Sequence, residues 1–104
     1  MVKDGKFFIE NLEKVCFFGQ TETFKELIKI NESLNLTSLI ITSSHQAKII
    51  NKNIKKDIFD SINENCIKFI KQKCAINKTL FVSLGARYIF KEDIIKNTFQ
   101  DNLI

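Results

Sequence analysis

Short runs rich in apolar and β-branched residues alternate along this chain with longer stretches whose apolar residues recur every three or four positions. The runs are Lys14-Val-Cys-Phe-Phe18, Leu36-Thr-Ser-Leu-Ile-Ile-Thr42, Ile58-Phe59 and Thr79-Leu-Phe-Val-Ser-Leu84. Their β-branched and aromatic content predicts strands, the first buried on both faces and the third shorter or more peripheral. Phe24, Leu27, Ile28 and Leu34 form a stripe at helical spacing, which predicts a helix reaching about Asn35. Ile62, Cys66, Phe69, Ile70 and Cys74 form a second stripe, and Ile94, Ile95 and Phe99 a third within residues 91–99. Three capping-box matches, Thr23 to Glu26, Ser43 to Gln46 and Ser61 to Glu64, mark helix starts, the second opening a short helix to about Ile50. Residues 1–13, with Phe7, Phe8, Ile9 and Leu12, read as a lead-in helix.

The resulting order, strand and helix in strict alternation four times over, specifies an α/β domain with a largely parallel sheet. One Rossmann-like, three-layer αβα domain over residues 1–104 is expected. Right-handed crossovers most simply give strand order 3-2-1-4. The order reverses between the first and fourth strands, so their carboxyl ends, Gly19-Gln20-Thr21 and Gly85-Ala86-Arg87, are the switch point where open sheets collect ligands. The sheet is expected to be incomplete on its C-terminal side, leaving the outer edge of the fourth strand unpaired and open to self-association.

A net charge of +4 first suggests nucleic acid, but fifteen of the sixteen basic residues are lysines. Nucleic-acid sites usually recruit arginine forks and aromatic platforms, so the cluster Lys68, Lys71, Lys73 and Lys78 reads as a solvated helix face. Cys16, Cys66 and Cys74 have no Cys-x-x-Cys spacing and one histidine, His45, for company, which excludes a zinc site built from local motifs. They read as buried small hydrophobes in a reducing compartment. No apolar run approaches the ~20 residues a membrane helix needs, and the first residues lack the apolar core of a signal peptide; a cytoplasmic location is expected.

At the switch point each candidate has a structural alternative. Gly19 either makes a tight turn or lets a ligand approach the backbone, with Gln20 and Thr21 beside a helix amino end. Arg87, the one arginine, offers a planar fork to an anion or pairs with Glu92 or Asp93. Tyr88, Ile89 and Phe90 form a pocket wall or face the core. His45 has the one side chain with a neutral-range ordinary pKa, and it sits in a short helix far along the sheet from the switch point, as a surface histidine.

The run from Lys14 to Phe24, its following helix and Leu39-Ile-Ile-Thr-Ser43 resemble the opening of the formyltetrahydrofolate-dependent formyltransferases. Val82-Ser-Leu-Gly-Ala-Arg-Tyr-Ile-Phe90 resembles that family's fourth strand and folate loop, most closely in its sugar-amine branch. The resemblance implies formyltetrahydrofolate as cofactor and a primary amine, a sugar nucleotide above all, as acceptor. It places Gly85, Arg87, Tyr88, Ile89 and Phe90 around the folate pterin and Gly19, Gln20 and Thr21 facing the amine. The family's catalytic asparagine, the histidine two positions on and a later aspartate would follow Leu103-Ile104; no catalytic residue is therefore assigned, and the chain is expected to be inactive alone. The other reading is a non-catalytic α/β module that binds a nucleotide, an anion or a protein partner at the same switch point.

Overall fold

The computed structural model describes residues 11–100 and 102–104 in full, together with the backbone of two short N-terminal strands. These strands, β1 (Val2–Lys3) and β2 (Lys6–Phe7), pair antiparallel with Val2 opposite Phe7. The predicted lead-in helix is therefore not what these residues form. In the sequence Asp4-Gly5 separates them, a dipeptide that favours hairpins. Phe8 and Ile9 lie outside the described residues, and Leu12 belongs to no helix.

The main sheet contains β3 (Lys14–Gly19), β4 (Thr37–Thr42), β5 (Asp57–Ile58) and β6 (Thr79–Leu84) in the order β5-β4-β3-β6, all parallel. Counting from the first of the four, this is the expected 3-2-1-4. Glu13 extends the central ladder on both sides, its N–H donating to the Lys78 carbonyl at 2.9 Å and its carbonyl accepting from Thr37 at 3.1 Å.

Alternate residues of β3 feed two cores, as a strand buried on both faces requires. Cys16 and Phe18 join Ile41, Phe81, Phe99 and the inner stripe of α2 (Glu64–Lys73) on one face. Val15 and Phe17 join Phe24, Ile40, Ile50 and Ile54 on the other, where α1 (Phe24–Ser33) lies. The short helix α3 (Glu92–Asn97) adds Ile94 to the α2 side.

The helix starts depart from the capping-box reading. Thr23 makes no cap bond to the backbone of α1; its hydroxyl meets that of Thr21 at 2.8 Å. At α2 the cap is Asn63, two residues past Ser61, and its Oδ1 accepts from the Cys66 N–H at 3.0 Å. Asn63 does the same job as serine, since any short side chain with an acceptor can satisfy a free N–H there. The Ser43 box does form, with Gln46 N–H on Ser43 Oγ at 3.1 Å, but the helix is one turn of 3-10, Gln46–Lys48.

The outer edge of β6 is not bare. Residues 102–104 run parallel along it: Phe81 N–H donates to Asn102 O at 2.9 Å, Ile104 N–H to Phe81 O at 2.8 Å and Ser83 N–H to Ile104 O at 2.8 Å. A second copy seeking a strand edge on this side would have to pair with residues 102–104 instead of β6. Among the described residues no helix is long and apolar enough to cross a membrane.

The three thiols are buried, as the place of Cys16 in a Phe-rich strand and of Cys66 and Cys74 on a helical apolar stripe predicts. Burial holds the Cys16 thiol well above its ordinary 9.0, raises Cys74, and pushes Cys66 up to about 11. Because the folded values lie above the unfolded one, the protonated thiols support the fold fully below about pH 9, and that support fades as pH rises toward about 11. Native protein is expected to leave all three unmodified by a thiol-disulfide reagent at pH 8, with all three reacting in denaturant, and to unfold more easily from pH 9 upward. One fast-reacting thiol in native protein would contradict this burial.

Candidate functional site

β3 and β6 end side by side, Gly19 opposite Leu84. Gly19 has φ of +120°, and a Cβ there would lie 2.2 Å from Leu84 O and 2.7 Å from Ala86 N. The room its missing side chain provides is filled by the neighbouring loop. Gln20 N–H then donates to Leu84 O at 3.0 Å, tying the loops together. Gly85 has φ of +63°, and its own Cβ would meet Gln20 O at 3.3 Å. The two glycines let two strand ends touch at the floor of the switch point, which is the close-approach use of glycine.

Gly19, Gln20 and Gly85 meet at this floor through their backbones, and Arg87 follows two residues on, exposed. Thr21 is committed locally, its Oγ1 accepting from Thr23 N–H at 3.1 Å. The Oε1 of Gln20 is enclosed and no hydrogen-bond donor among the described residues reaches it. Thr42 Oγ1, at the carboxyl end of β4, is in the same position. Buried oxygens without donors are costly, by about 1–3 kcal/mol each.

Beyond Gly85 the chain runs through residues 86–90 without helix or strand, and side chains alternate in direction. Ala86, Tyr88 and Phe90 pack on the α2-side core, while Arg87 is exposed and Ile89 is 81% exposed. Of the suggested wall, Tyr88 and Phe90 thus face inward and Ile89 outward. Tyr88 donates its hydroxyl to Phe59 O at 2.6 Å, and burial raises its pKa. Arg87 makes no ion pair among the described residues; Glu92 pairs with Lys96 at 3.1 Å. No main-chain N–H or carbonyl of residues 86–90 bonds to another described main-chain group.

One contributor escaped the sequence reading. Gln46 is 2% exposed and its Nε2 donates to Gly85 O at 2.9 Å. It pins the loop that begins at Gly85 from an element 39 residues away in sequence. The capping box flagged Gln46, yet nothing in its spacing announces that reach. The same bond corrects the placing of His45: its segment lies beside the switch point, not far along the sheet. His45 itself is exposed.

The lysine cluster is not one patch of free cations. Lys68 and Lys71 are exposed on α2, Lys73 lies 5.8 Å over the Phe69 ring, and Lys78 pairs with Glu13 at 3.3 Å. Among the described residues no three His, Cys, Asp or Glu side chains gather as a metal site would require. No protein-family model, curated protein or solved structure matches the chain.

Proposed function

We propose that the crevice above the β3 and β6 carboxyl ends binds formyltetrahydrofolate, and that the chain is the folate-side portion of an enzyme passing a formyl group to a primary amine, a sugar-nucleotide amine above all. The observation that carries this reading is the open segment 86–90. Its main-chain donors and acceptors are unspent, and it leaves β6 at the switch point beside Gln20. A flat heterocycle with donors and acceptors along one edge is the kind of ligand that such a backbone can read. Arg87, exposed and outside any described ion pair, supplies a planar fork of donors for the acceptor atoms of the same heterocycle. The donorless Oε1 of Gln20, enclosed here, would suit an amine N–H once its side chain turns outward.

The chemistry would be attack of the amine nitrogen on the formyl carbon, with the carbonyl oxygen becoming an oxyanion that needs donors. The Asn-x-His pair that supplies them in the family the chain resembles is not in this sequence. Its single histidine has Ser43 two positions before it, so the 104 residues hold no Asn-x-His pair. Binding without turnover is the expected behaviour of the purified chain.

Titration calorimetry with 5-formyltetrahydrofolate, a stable isomer of the cofactor, tests this. Saturable binding is expected, weakened about tenfold or more by Arg87→Ala, since a charged hydrogen bond is worth ~1.5–3 kcal/mol. Binding of nucleotides without folates would instead favour the non-catalytic module, and formyl transfer by the chain alone would show that it needs no Asn-x-His.

A further inference from the structure

A second concavity lies away from the switch point, on the α1 face of the sheet. It is a groove of about 590 Å³ between α1, the first half of β4 and residues 51–55. It exists because β5 is short. β5 pairs with Ile41 and Thr42 alone, so β4 from Thr37 to Ile40 has no outer strand among the described residues. Thr37 pairs with Lys14, five residues before Gly19, and Ile40 with Phe17, two residues before it, so the groove runs from about 16 Å to about 7 Å along the strands from the β3 end.

The floor is apolar: Ile28 from α1, Leu36 and Ile40 at the strand, Ile54 from the loop. The rim is cationic. Lys25 and Lys29 rise from α1 and Lys55 from the facing loop, against the single carboxylate of Glu32. All three lysines are exposed and none forms an ion pair among the described residues. Lys25 and Lys29 stand four apart on one helix face, a like-charge spacing that costs the helix a few tenths of a kcal/mol. The volume falls inside the ~300–1,000 Å³ usual for small-molecule sites.

We infer that this groove binds an amphiphilic anion, a hydrocarbon or aromatic body laid on the isoleucine and leucine floor with a carboxylate or phosphate head held by Lys25, Lys29 and Lys55. The ligand's apolar part replaces water over the floor, and its charge offsets the repulsion between the lysines. A second copy of the chain fits less well, because a two-fold contact here would set lysines against lysines.

The test is titration of the full chain with 1-anilinonaphthalene-8-sulfonate, read by fluorescence, followed by displacement. Decanoate and decyl phosphate are expected to displace the dye from one saturable site, and the tighter of the two identifies the preferred head group. Decyltrimethylammonium, with the same tail and opposite charge, is expected not to. Lys25→Glu with Lys29→Glu should weaken dye and decanoate at least tenfold with unchanged far-ultraviolet circular dichroism, whereas Lys71→Glu on α2 should leave both as they were. Equal displacement by the cation, indifference to the double charge reversal, or dye-independent dimerisation lost in the double variant would each overturn the assignment.

Discussion

Gly19→Ala is expected to be far more damaging than Gly85→Ala, although both glycines have positive φ and lie where the same two loops touch. At Gly19 the added methyl would sit 2.2 Å from Leu84 O and 2.9 Å from Ala86 Cα, and both obstacles are backbone. Neither can rotate aside. The φ of +120° lies outside the left-handed helical region that other residues visit, so the conformation alone costs about 1–3 kcal/mol. Relieving the overlap means separating the β3 and β6 ends, which breaks the Gln20 to Leu84 bond. At Gly85 the φ of +63° is one that asparagine tolerates, and the nearest atom, Gln20 O, is 3.3 Å away. Urea unfolding followed by circular dichroism should put Gly19→Ala several kcal/mol below wild type, a large share of the ~5–15 kcal/mol a domain has. Gly85→Ala should lose about 1–2 kcal/mol, and Gly85→Asn less still. Equal losses at the two positions would mean that the loops do not touch as described.

The contrast shows how far the residues could be read in advance. The strands β3, β4 and β6, their parallel order and the burial of Cys16, Cys66 and Cys74 follow from apolar runs and helical stripes, because burial on two faces leaves a strong imprint on composition. Gly19 and Gly85 were marked as special, but whether a ligand or the chain itself fills the space beside them is a three-dimensional fact. Gln46 and Asn63 show the other limit. One reaches a carbonyl across 39 residues, and the other takes a cap from a serine two positions away, where either side chain is chemically adequate. The pairing of residues 102–104 with β6 was also out of reach, since Asn102-Leu-Ile104 is too short to register as a strand. The alternation through residues 86–90 was open to both readings because Tyr88, Ile89 and Phe90 are all apolar enough to face inward; the Phe18 ring decides which two do.

Phe18→Ala is expected to have the largest effect of any single core truncation on the α2 side. Phe18 has no exposure, and its ring is met by Phe81 at 6.1 Å, Tyr88 at 6.1 Å, Phe90 at 5.2 Å and Phe99 at 5.7 Å. Removing a buried phenylalanine costs ~3–5 kcal/mol, and each aromatic contact adds up to about 1 kcal/mol, with incomplete additivity. Phe17, its neighbour on the other face, has a single ring partner among the described residues, Phe24 at 5.7 Å, so Phe17→Ala should cost less. The difference has a functional reading, because two of the rings leaning on Phe18 belong to Tyr88 and Phe90. Their inward packing is what turns Arg87 and Ile89 outward. On the proposed folate reading, Phe18→Leu, which keeps most of the volume but not the ring edges, should therefore stay folded and yet bind 5-formyltetrahydrofolate more weakly than Phe17→Leu does. Near-ultraviolet circular dichroism reports the aromatic cluster and calorimetry the ligand. If Phe18→Leu keeps full affinity while its aromatic signal collapses, the cluster does not orient the 86–90 segment.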